Sequence, residues 1–448
     1  VLIEGEDKAG EFYRFNFGTM FAYIQNRIPE ISNELYRIDD ALRAGFGWEN
    51  GPFQIWDSIG IKKGVELMKA LGYEPAEWIS EMINNNINKF YSVENSITNY
   101  YDINSKSLVP KPGQNSLIIL KNLDKSSVIW ENSDSIITDI GDGIINLEFR
   151  TKMNTLGQGV LTGINKAVDL AEKNFKGIVI ANEGPHFSAG ANLGAIFMAA
   201  AEQEYDEINL AIKFFQDSMM KLRYSSIPAI AAPHGLTLGG GCEVTMHCDK
   251  AVAYSESYIG LVEVGAGLIP GGGGCKEMAL RASKKFSKND VELNVLQEYF
   301  LNIGMAKTST SAYEAIDLGY LQPNNDTIIM NKNHQISIAK KHAILMADYG
   351  YLPPFRVNDI KVLGKQALGT FMVGTDTMKA GKYISDHDQK IANKIAYVIS
   401  GGDLSQSTLV SEQYLLDLER EAFLSLCSER KTLERIQHIL KTGKPLRN

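Results

Sequence analysis

Two glycine-rich segments of the 448-residue chain bring small residues next to polar side chains. The first, residues 186–193, reads His-Phe-Ser-Ala-Gly-Ala-Asn-Leu, and the second, residues 234–243, reads His-Gly-Leu-Thr-Leu-Gly-Gly-Gly-Cys-Glu. In each segment a predicted strand passes through glycines into a predicted helix. Glycine lets the backbone approach a ligand closely, and the first N–H groups of a helix have no partner inside it. The two segments together predict a pair of backbone donors for an oxygen on which negative charge develops.

Two carboxylates accompany these segments. Glu243 falls in the first turn of the second predicted helix, and Glu263 follows between Val262 and Val264. A carboxylate among such apolar neighbours would be costly to bury unless it had a use, so the pair could share acid and base work. Taken singly, each feature has a structural alternative. A glycine-rich turn is often only a tight corner, and a glutamate at a helix start is favourable to the helix dipole.

The elements that must position these residues begin at Ser116, where short β-branched runs alternate with helical patterns. This alternation predicts an α/β arrangement, in which loops leaving the carboxyl ends of strands are the usual place for a site. The pattern predicts strands at 117–120, 127–130, 135–138, 143–149, 177–182 and 228–232, and helices at 157–173, up to 197 and at 208–224.

Outside this region the chain is predicted to be mostly helical. Apolar residues recur at three- and four-residue spacing between about residues 10 and 90, and helical periodicity returns from about 311 to the end. The segment 45–53, with three glycines and a proline, predicts a tight turn between two helices and is favoured as a structural corner. The polar residues 96–115 are predicted to be a linker.

Several of these motifs resemble those of a known family. Phe187-Ser-Ala-Gly-Ala191, Leu238-Gly-Gly-Gly-Cys-Glu243, and Glu263 with Ile269-Pro-Gly-Gly-Gly resemble, in order and spacing, the motifs of the crotonase (enoyl-CoA hydratase/isomerase) family. The resemblance covers about residues 115–330. A second resemblance, over residues 40–57, is to the C-terminal helical domain of 3-hydroxyacyl-CoA dehydrogenases. Together the two resemblances are to the carboxyl part of a multifunctional enzyme of fatty-acid β-oxidation, a bifunctional protein in which a dehydrogenase precedes a hydratase.

The resemblances imply an α/β fold, a crotonase-like ββα superhelix, after an all-helical domain. The implied domains are a helical dehydrogenase-like domain at 1–95, a linker at 96–115, a hydratase core at 116–330 and a helical C-terminal part at 331–448. The family pattern makes the N–H groups of Ala191 and Gly240 donors to the thioester oxygen, and Glu243 and Glu263 the catalytic pair. It implies substrate-binding roles for Phe187, Ala189, Gly190, Gly239, Gly265, Pro270 and Gly271.

The implied reaction is hydration of a trans-2-enoyl-CoA to a 3-hydroxyacyl-CoA, the work of a lyase. Glu243 would activate the water that attacks C3, and Glu263 would supply the proton for C2. Glutamate at both positions favours a hydratase over the alternative Δ3,Δ2-enoyl-CoA isomerase. A second alternative is a non-catalytic CoA-binding assembly module of a β-oxidation complex.

The sequence also departs from the family pattern. Pro185 replaces a common lysine, Asn192 replaces the commoner aspartate, Leu261-Val262 replace a frequent Gln-Pro pair, and 275–277 read Cys-Lys-Glu instead of Thr-Gln-Arg. Residues 1–115 lack a strand-Gly-x-Gly-x-x-Gly-helix unit, so dehydrogenase activity is not expected and NAD would act only in a longer parent protein. Hydration itself needs no cofactor, and coenzyme A enters as part of the acyl-CoA thioester substrate.

Composition excludes some partners. A formal net charge of −8 argues against nucleic-acid binding, and no apolar run is long enough to span a membrane. The start of the chain does not resemble a secretory signal, and the four cysteines form no C-x-x-C pair, so we expect reduced thiols and a cytoplasmic location. The seven histidines predict no metal site. The family resemblance alone implies a homo-oligomer and a thiolase partner.

Overall fold

The structure, a computed structural model, describes residues 2–287 and 291–448. The chain divides into two compact units, Val1–Asp124 and Lys125–Asn448.

The first unit combines five helices with a small antiparallel sheet. Its core is aromatic, because Phe21, Phe53, Trp56 and Phe90 are fully buried and their rings contact one another. The elements are α1 (Lys8–Gln25), α2 (Leu35–Phe46), α3 (Pro52–Ile59), α4 (Ile61–Ala70), α5 (Glu77–Asn84), β1 (Tyr91–Glu94), β2 (Ile97–Asp102) and β3 (Ser107–Pro110).

The helical domain expected at the N-terminus is present, but the linker predicted at 96–115 is not a linker. Residues 97–110 supply two of the three antiparallel strands, in the order β1-β2-β3. Tyr100 and Tyr101 are buried in the aromatic core. The Asn- and Ser-rich composition suggested a connection, but these two tyrosines anchor the sheet through contacts with helices distant in sequence.

The turn predicted at 45–53 is confirmed, because it joins the end of α2 to the start of α3. Asp39 Oδ1 accepts a hydrogen bond from the N–H of Phe53 (2.8 Å) and stabilises the start of α3. A Cβ atom on Gly51 would lie 2.3 Å from the Cβ atom of Asp39, so only glycine fits there. Asp57 accepts from the N–H groups of Phe90 and Tyr91 (2.7 and 2.9 Å) and joins α3 to β1.

The second unit is built on a seven-stranded mixed sheet, and two strand pairs lie outside that sheet. The unit as a whole contains the strands β4 (Val128–Glu131), β5 (Ser135–Asp139), β6 (Ile144–Phe149), β7 (Gly177–Ile180), β8 (Ala229–Ala231), β9 (Gly235–Leu238), β10 (Lys250–Tyr254), β11 (Ser257–Gly260), β12 (Thr327–Ile329), β13 (Ile360–Val362) and β14 (Thr408–Val410). The main sheet has the order β12-β10-β8-β7-β6-β5-β4 and is parallel from β6 to β12. β9 pairs with β11 in parallel, and β13 pairs with β14.

Helices cover this sheet and form the C-terminal part. They are α6 (Gln158–Asn174), α7 (Leu193–Ala201), α8 (Tyr205–Arg223), α9 (Gly240–His247), α10 (Gly274–Lys285), α11 (Glu292–Gly304), α12 (Ala312–Asp317), α13 (Gln335–Asp348), α14 (Gly364–Ala380), α15 (Asp386–Ile399), α16 (Glu412–Cys427) and α17 (Arg430–Thr442). One apolar core lies between the sheet, α6 and α8, and a larger one includes side chains from α10, α15 and α16. Among the described residues, none of the helices combines the length and apolar character needed to cross a membrane.

The α/β fold class predicted from the sequence is confirmed, and all the predicted strands except one are present. The exception is the segment 117–120, where the chain forms no strand and a 3-10 helix spans Leu120–Asn122. A short apolar run fits several buried conformations, so periodicity could not identify this one.

Candidate active site

The two glycine-rich segments lie side by side. β9 leads through Gly239, whose φ is +51°, into α9, and Ser188 forms an isolated parallel bridge with Thr237. A Cβ atom on Gly190, at φ +101°, would lie 3.1 Å from the carbonyl oxygen of Leu238. The absence of side chains therefore permits the close approach of the two backbones.

This approach leaves two N–H groups available. Leu156 donates to the carbonyl of Gly190 (2.8 Å) and accepts from Asn192 (3.0 Å), which leaves the N–H of Ala191 between them unused. Gly240 is the first residue of α9, so its N–H has no partner within the helix. In the parts of the chain that the structure describes, neither N–H donates to a protein acceptor.

Glu243 lies in the first turn of α9, with 1% of its surface exposed. Its Oε1 atom accepts hydrogen bonds from the N–H groups of Gly272 and Gly274, both at 2.8 Å. Burial, followed by the nearby carboxyls of Glu263 and Glu419, raises the pKa of Glu243 well above its usual value. The glycine turn before α10 thus fixes one oxygen of a buried carboxyl group.

Glu263 begins the short 3-10 helix Glu263–Ala266, just after β11. A Cβ atom on Gly239 would lie 2.9 Å from its Oε1 atom, which places the carboxyl next to the second donor segment. The Oε2 atom is buried and has no hydrogen-bond partner. Burial, with a smaller contribution from Glu419, raises the pKa of Glu263 to about 8. The group therefore carries its proton at neutral pH.

A third buried glutamate, Glu419 of α16, was not predicted. Its Oε1 atom accepts from the N–H of Gly273 (2.7 Å), and its Oε2 atom accepts from the N–H groups of Cys275 (2.8 Å) and Lys276 (3.2 Å). Glu419 is fully buried. One signal was present in the sequence, since Glu419 falls on the apolar stripe of its helix, between Leu415 and Phe423. A carboxylate on that stripe has to have buried partners.

The unusual triplet 275–277 belongs to a buried ionic cluster behind α9. The ammonium group of Lys276 contacts His247 Nε2 (2.9 Å), Glu412 Oε1 (3.1 Å) and Glu277 Oε2 (3.2 Å). Glu277 also pairs with Arg223 and Arg281 (2.6 and 3.1 Å). Burial lowers the pKa of Lys276. His247 Nδ1 lies 2.7 Å from the carbonyl oxygen of Glu243, so the cluster supports the helix that carries Glu243.

Other predicted substrate-binding residues are placed around these groups. The ring of Phe187 is fully buried and packs against Phe149 in the apolar core. Ala189 donates to the carbonyl of Met153 (3.0 Å). The remaining positions line the neighbouring turns: Gly265 lies near Pro445, Gly271 packs against Phe423, and Pro270 packs against Gly274.

Comparison with known proteins identifies this region. Residues 139–291 match the model of the enoyl-CoA hydratase/isomerase family. This segment forms a crotonase-family domain. It contains Ala191, Gly240, Glu243 and Glu263, so the predicted family is confirmed for the part of the chain that carries the candidate site.

Some curated relatives match the chain well beyond the crotonase-family domain. A Bacillus subtilis protein named as a probable 3-hydroxyacyl-CoA dehydrogenase is 40% identical over 448 residues, which is 100% of this chain and 56% of the relative. A Rickettsia prowazekii protein named as a fatty acid oxidation complex trifunctional enzyme is 28% identical, over 98% of this chain and 54% of its own. The mouse mitochondrial methylglutaconyl-CoA hydratase is 35% identical over 28% of this chain and 40% of its own. The chain thus spans about half the length of the first two relatives.

Among solved structures, an enoyl-CoA hydratase from Bacillus halodurans aligns with a TM-score of 0.47 and 15% identity, over 68% of this chain and 99% of that chain. An enoyl-CoA hydratase from Mycobacterium avium subsp. paratuberculosis aligns with a TM-score of 0.45 and 16% identity, over 70% and 99% of the two chains.

Proposed function

We propose that this chain hydrates trans-2-enoyl-CoA thioesters to 3-hydroxyacyl-CoA, as a step of fatty-acid β-oxidation. The observation that carries the proposal is the juxtaposition of two unused backbone N–H groups with two carboxyl groups, the buried Glu243 and Glu263, whose Oε2 atom is buried. The family match and the names of the relatives support an acyl-CoA substrate.

The N–H groups of Ala191 and Gly240 bind the thioester carbonyl oxygen in this proposal. Negative charge develops on that oxygen as an enolate forms when C3 is attacked. Preorganised donors of this kind contribute about 3 to 4 kcal/mol to the transition state. They act mainly on the transition state, because the charge is largest there.

Glu243 serves as the base. Two N–H groups donate to its Oε1 atom, and such bonds favour the ionised form of a carboxylate against the effect of burial. Among the described residues, none donates to Oε2, so that oxygen is available to bind and deprotonate the water that attacks C3. The proton moves from water to Glu243, and the hydroxyl bonds to C3.

Glu263 serves as the acid. Its pKa of about 8 keeps the carboxyl group protonated at neutral pH. Its buried Oε2 atom has no hydrogen-bond partner among the described residues, so a proton on that atom is available for transfer to the substrate. It supplies the proton that bonds to C2. After the step Glu243 holds the proton taken from water and Glu263 is ionised, so transfer of that proton from Glu243 to Glu263 through solvent restores the starting state.

The test is turnover of crotonyl-CoA, followed through loss of the absorbance of the conjugated enoyl thioester. We expect wild-type turnover and a reduction of about 10² to 10⁴ in kcat for Glu243→Gln and for Glu263→Gln. Glu421→Gln is the control, because it makes the same change at an exposed position of α16, outside both glycine-rich segments. Normal activity in both active-site variants would overturn the assignment.

Two other outcomes would replace the proposal. Double-bond migration without incorporation of oxygen from heavy-oxygen water would indicate an isomerase. Tight CoA binding without turnover of any enoyl chain length would indicate an assembly module. A hydratase incorporates one labelled oxygen per product molecule.

We also propose that NAD-dependent oxidation of the product is not performed by residues 1–448. The sheet in the described part of the first unit, residues 2–124, is three-stranded and antiparallel, whereas a dinucleotide-binding domain needs a parallel sheet with a glycine-rich first turn. Incubation with 3-hydroxybutyryl-CoA and NAD should form no NADH, and its formation would contradict this. Self-association and a thiolase partner remain predictions of the family resemblance, and a cytoplasmic location remains a prediction from the cysteines and the first residues of the sequence.

A further inference from the structure

Glu419 and Glu243 bind the same turn of backbone. The N–H groups of residues 272–276 bond to the two carboxyl groups, first in alternation and then to Glu419 alone. Glu243 accepts from Gly272 and Gly274, and Glu419 accepts from Gly273, Cys275 and Lys276. Neither carboxyl can move without disturbing the turn that fixes the other.

Charged and titratable groups from several elements face Glu419. They are Glu243 from α9, Glu263 from the 3-10 helix and Lys276 from α10. From α8, the amide of Gln216 donates to Glu419 Oε1 (3.3 Å). Burial raises the pKa of Glu419 to about 7, against the N–H donors that favour its ionised form.

We propose that Glu419 is a positioning residue of the candidate active site, which fixes the 272–276 turn that orients Glu243 and sets the proton affinity of the pair Glu243 and Glu263. This inference rests on the proposed hydration, since that reaction gives the pair its roles. Glu419 contacts no reacting atom in the proposed chemistry. It acts through the backbone and through its charge.

The charge of Glu419 should raise the pKa values of Glu243 and Glu263, whereas its hydrogen bonds to the 272–276 turn predict no such change by themselves. A carboxylate anion near two others opposes their ionisation. Glu419 is charged mainly above about pH 7, so loss of its charge should move the basic limb of the pH profile of kcat/KM to lower pH, by about one unit for carboxyls several ångströms apart in a protein interior. Loosening of the turn should also lower kcat, by about 10- to 100-fold.

The experiment measures kcat and the pH profile of kcat/KM with crotonyl-CoA for wild type, Glu419→Gln, Glu419→Asp and Glu421→Gln. We expect the lower kcat and the acidward shift of the basic limb for Glu419→Gln. Glu419→Asp keeps the charge one methylene shorter, so its basic limb should return to the wild-type position although kcat stays reduced. Glu421→Gln makes the same change at an exposed position on the same helix, so it should leave kcat and the profile in place.

Two results overturn the inference: an unchanged basic limb in Glu419→Gln, or the same shift in Glu421→Gln. If Glu419→Gln does not fold, a displaced basic limb in Glu419→Asp would also contradict it. If wild type has no hydratase activity, the proposed function fails, and the inference is tested without turnover. Carboxyl ¹³C NMR of ¹³C-glutamate-labelled protein then follows the titration of Glu263, assigned by Glu263→Gln. An unchanged titration midpoint in Glu419→Gln would overturn the charge effect by itself.

Discussion

At the scale of single residues, the site depends on carboxyl groups whose surroundings differ. Glu243 receives two backbone hydrogen bonds on one oxygen, whereas the buried Oε2 atom of Glu263 has no partner. Both lie away from water, which raises their pKa values. The bonds from Gly272 and Gly274 oppose the effect of burial at Oε1 of Glu243, whereas no bond opposes it at Oε2 of Glu263.

The pKa of about 8 for Glu263 predicts the basic limb of the pH profile. The proposed acid must be protonated, and it loses its proton as pH rises through about 8, so kcat/KM should fall above that pH. Steady-state rates with crotonyl-CoA between neutral and alkaline pH, corrected for enzyme-free hydrolysis, would show the limb. A fall centred near the ordinary glutamate pKa would contradict the assigned role.

Gly239 predicts a second residue-scale effect. Its φ of +51° is unfavourable for other residues, and a Cβ atom there would lie 2.9 Å from Glu263 Oε1. Gly239→Ala should lower kcat by about 100-fold, because it displaces both Glu263 and the adjacent donor Gly240. The matched control is Gly369→Ala in α14, where a Cβ atom meets nothing within 4 Å. That variant should be fully active and slightly more stable, by about 0.5 to 1 kcal/mol in urea unfolding.

At the scale of elements, the C-terminal helices fix the short turns that carry the carboxyl groups. Arg435 of α17 donates to the carbonyl of Val264 (3.1 Å), and Thr432 donates to that of Gly267 (2.8 Å). Arg435 is fully buried and pairs with Asp388 at 2.8 Å. The turn that begins at Glu263 is therefore fastened from outside the motif that contains it.

Arg435→Met should test this fastening. It leaves Asp388, which is also bound by Arg447, with one buried partner fewer, and we expect a loss of about 3 kcal/mol in the free energy of unfolding together with lower kcat. Arg430→Met on the same helix is the control, because Arg430 has 91% of its side chain exposed and its ion pair with Glu434 is superficial. That change should cost less than about 0.5 kcal/mol. Equal losses in urea titrations of the two variants would contradict the structural role of Arg435.

At the scale of the whole molecule, every residue of the candidate site lies in the second unit. The residues that form and fix this site come from segments far apart along that unit. The family match ends at residue 291, but Glu419 and Arg435 contribute from the last 35 residues or so. The larger apolar core likewise includes Phe423, Leu426 and Ile436 from the last two helices.

This arrangement predicts the result of truncation. Residues 125–448 produced alone should fold and retain hydratase activity, because the first unit has its own aromatic core. Residues 125–405 should lose cooperative unfolding and activity, because α16 and α17 contribute to the core and to the turns of the site. Circular dichroism melts and crotonyl-CoA turnover compare the fragments. Full activity in the shorter fragment would show that the C-terminal helices are dispensable.

The sequence by itself determined the motif residues and the alternation of strands and helices in the second unit. Both are local properties: a glycine turn, a helix start and a β-branched run are defined by residues close together in the chain. These patterns predicted Glu243, Glu263 and the fold class that contains them, and the family resemblance of the motifs implied Ala191 and Gly240 as the donors.

Only the tertiary structure decided how these groups are fixed and what burial does to them. Tyr100 and Tyr101 convert a polar stretch into a sheet, and Glu419 and Arg435 reach turns more than 140 residues earlier in the chain. Such contacts depend on which surfaces pack together, and no spacing pattern encodes them. The pKa of Glu263 depends on the same packing, because desolvation and the nearby charge of Glu419 exist only in the folded chain.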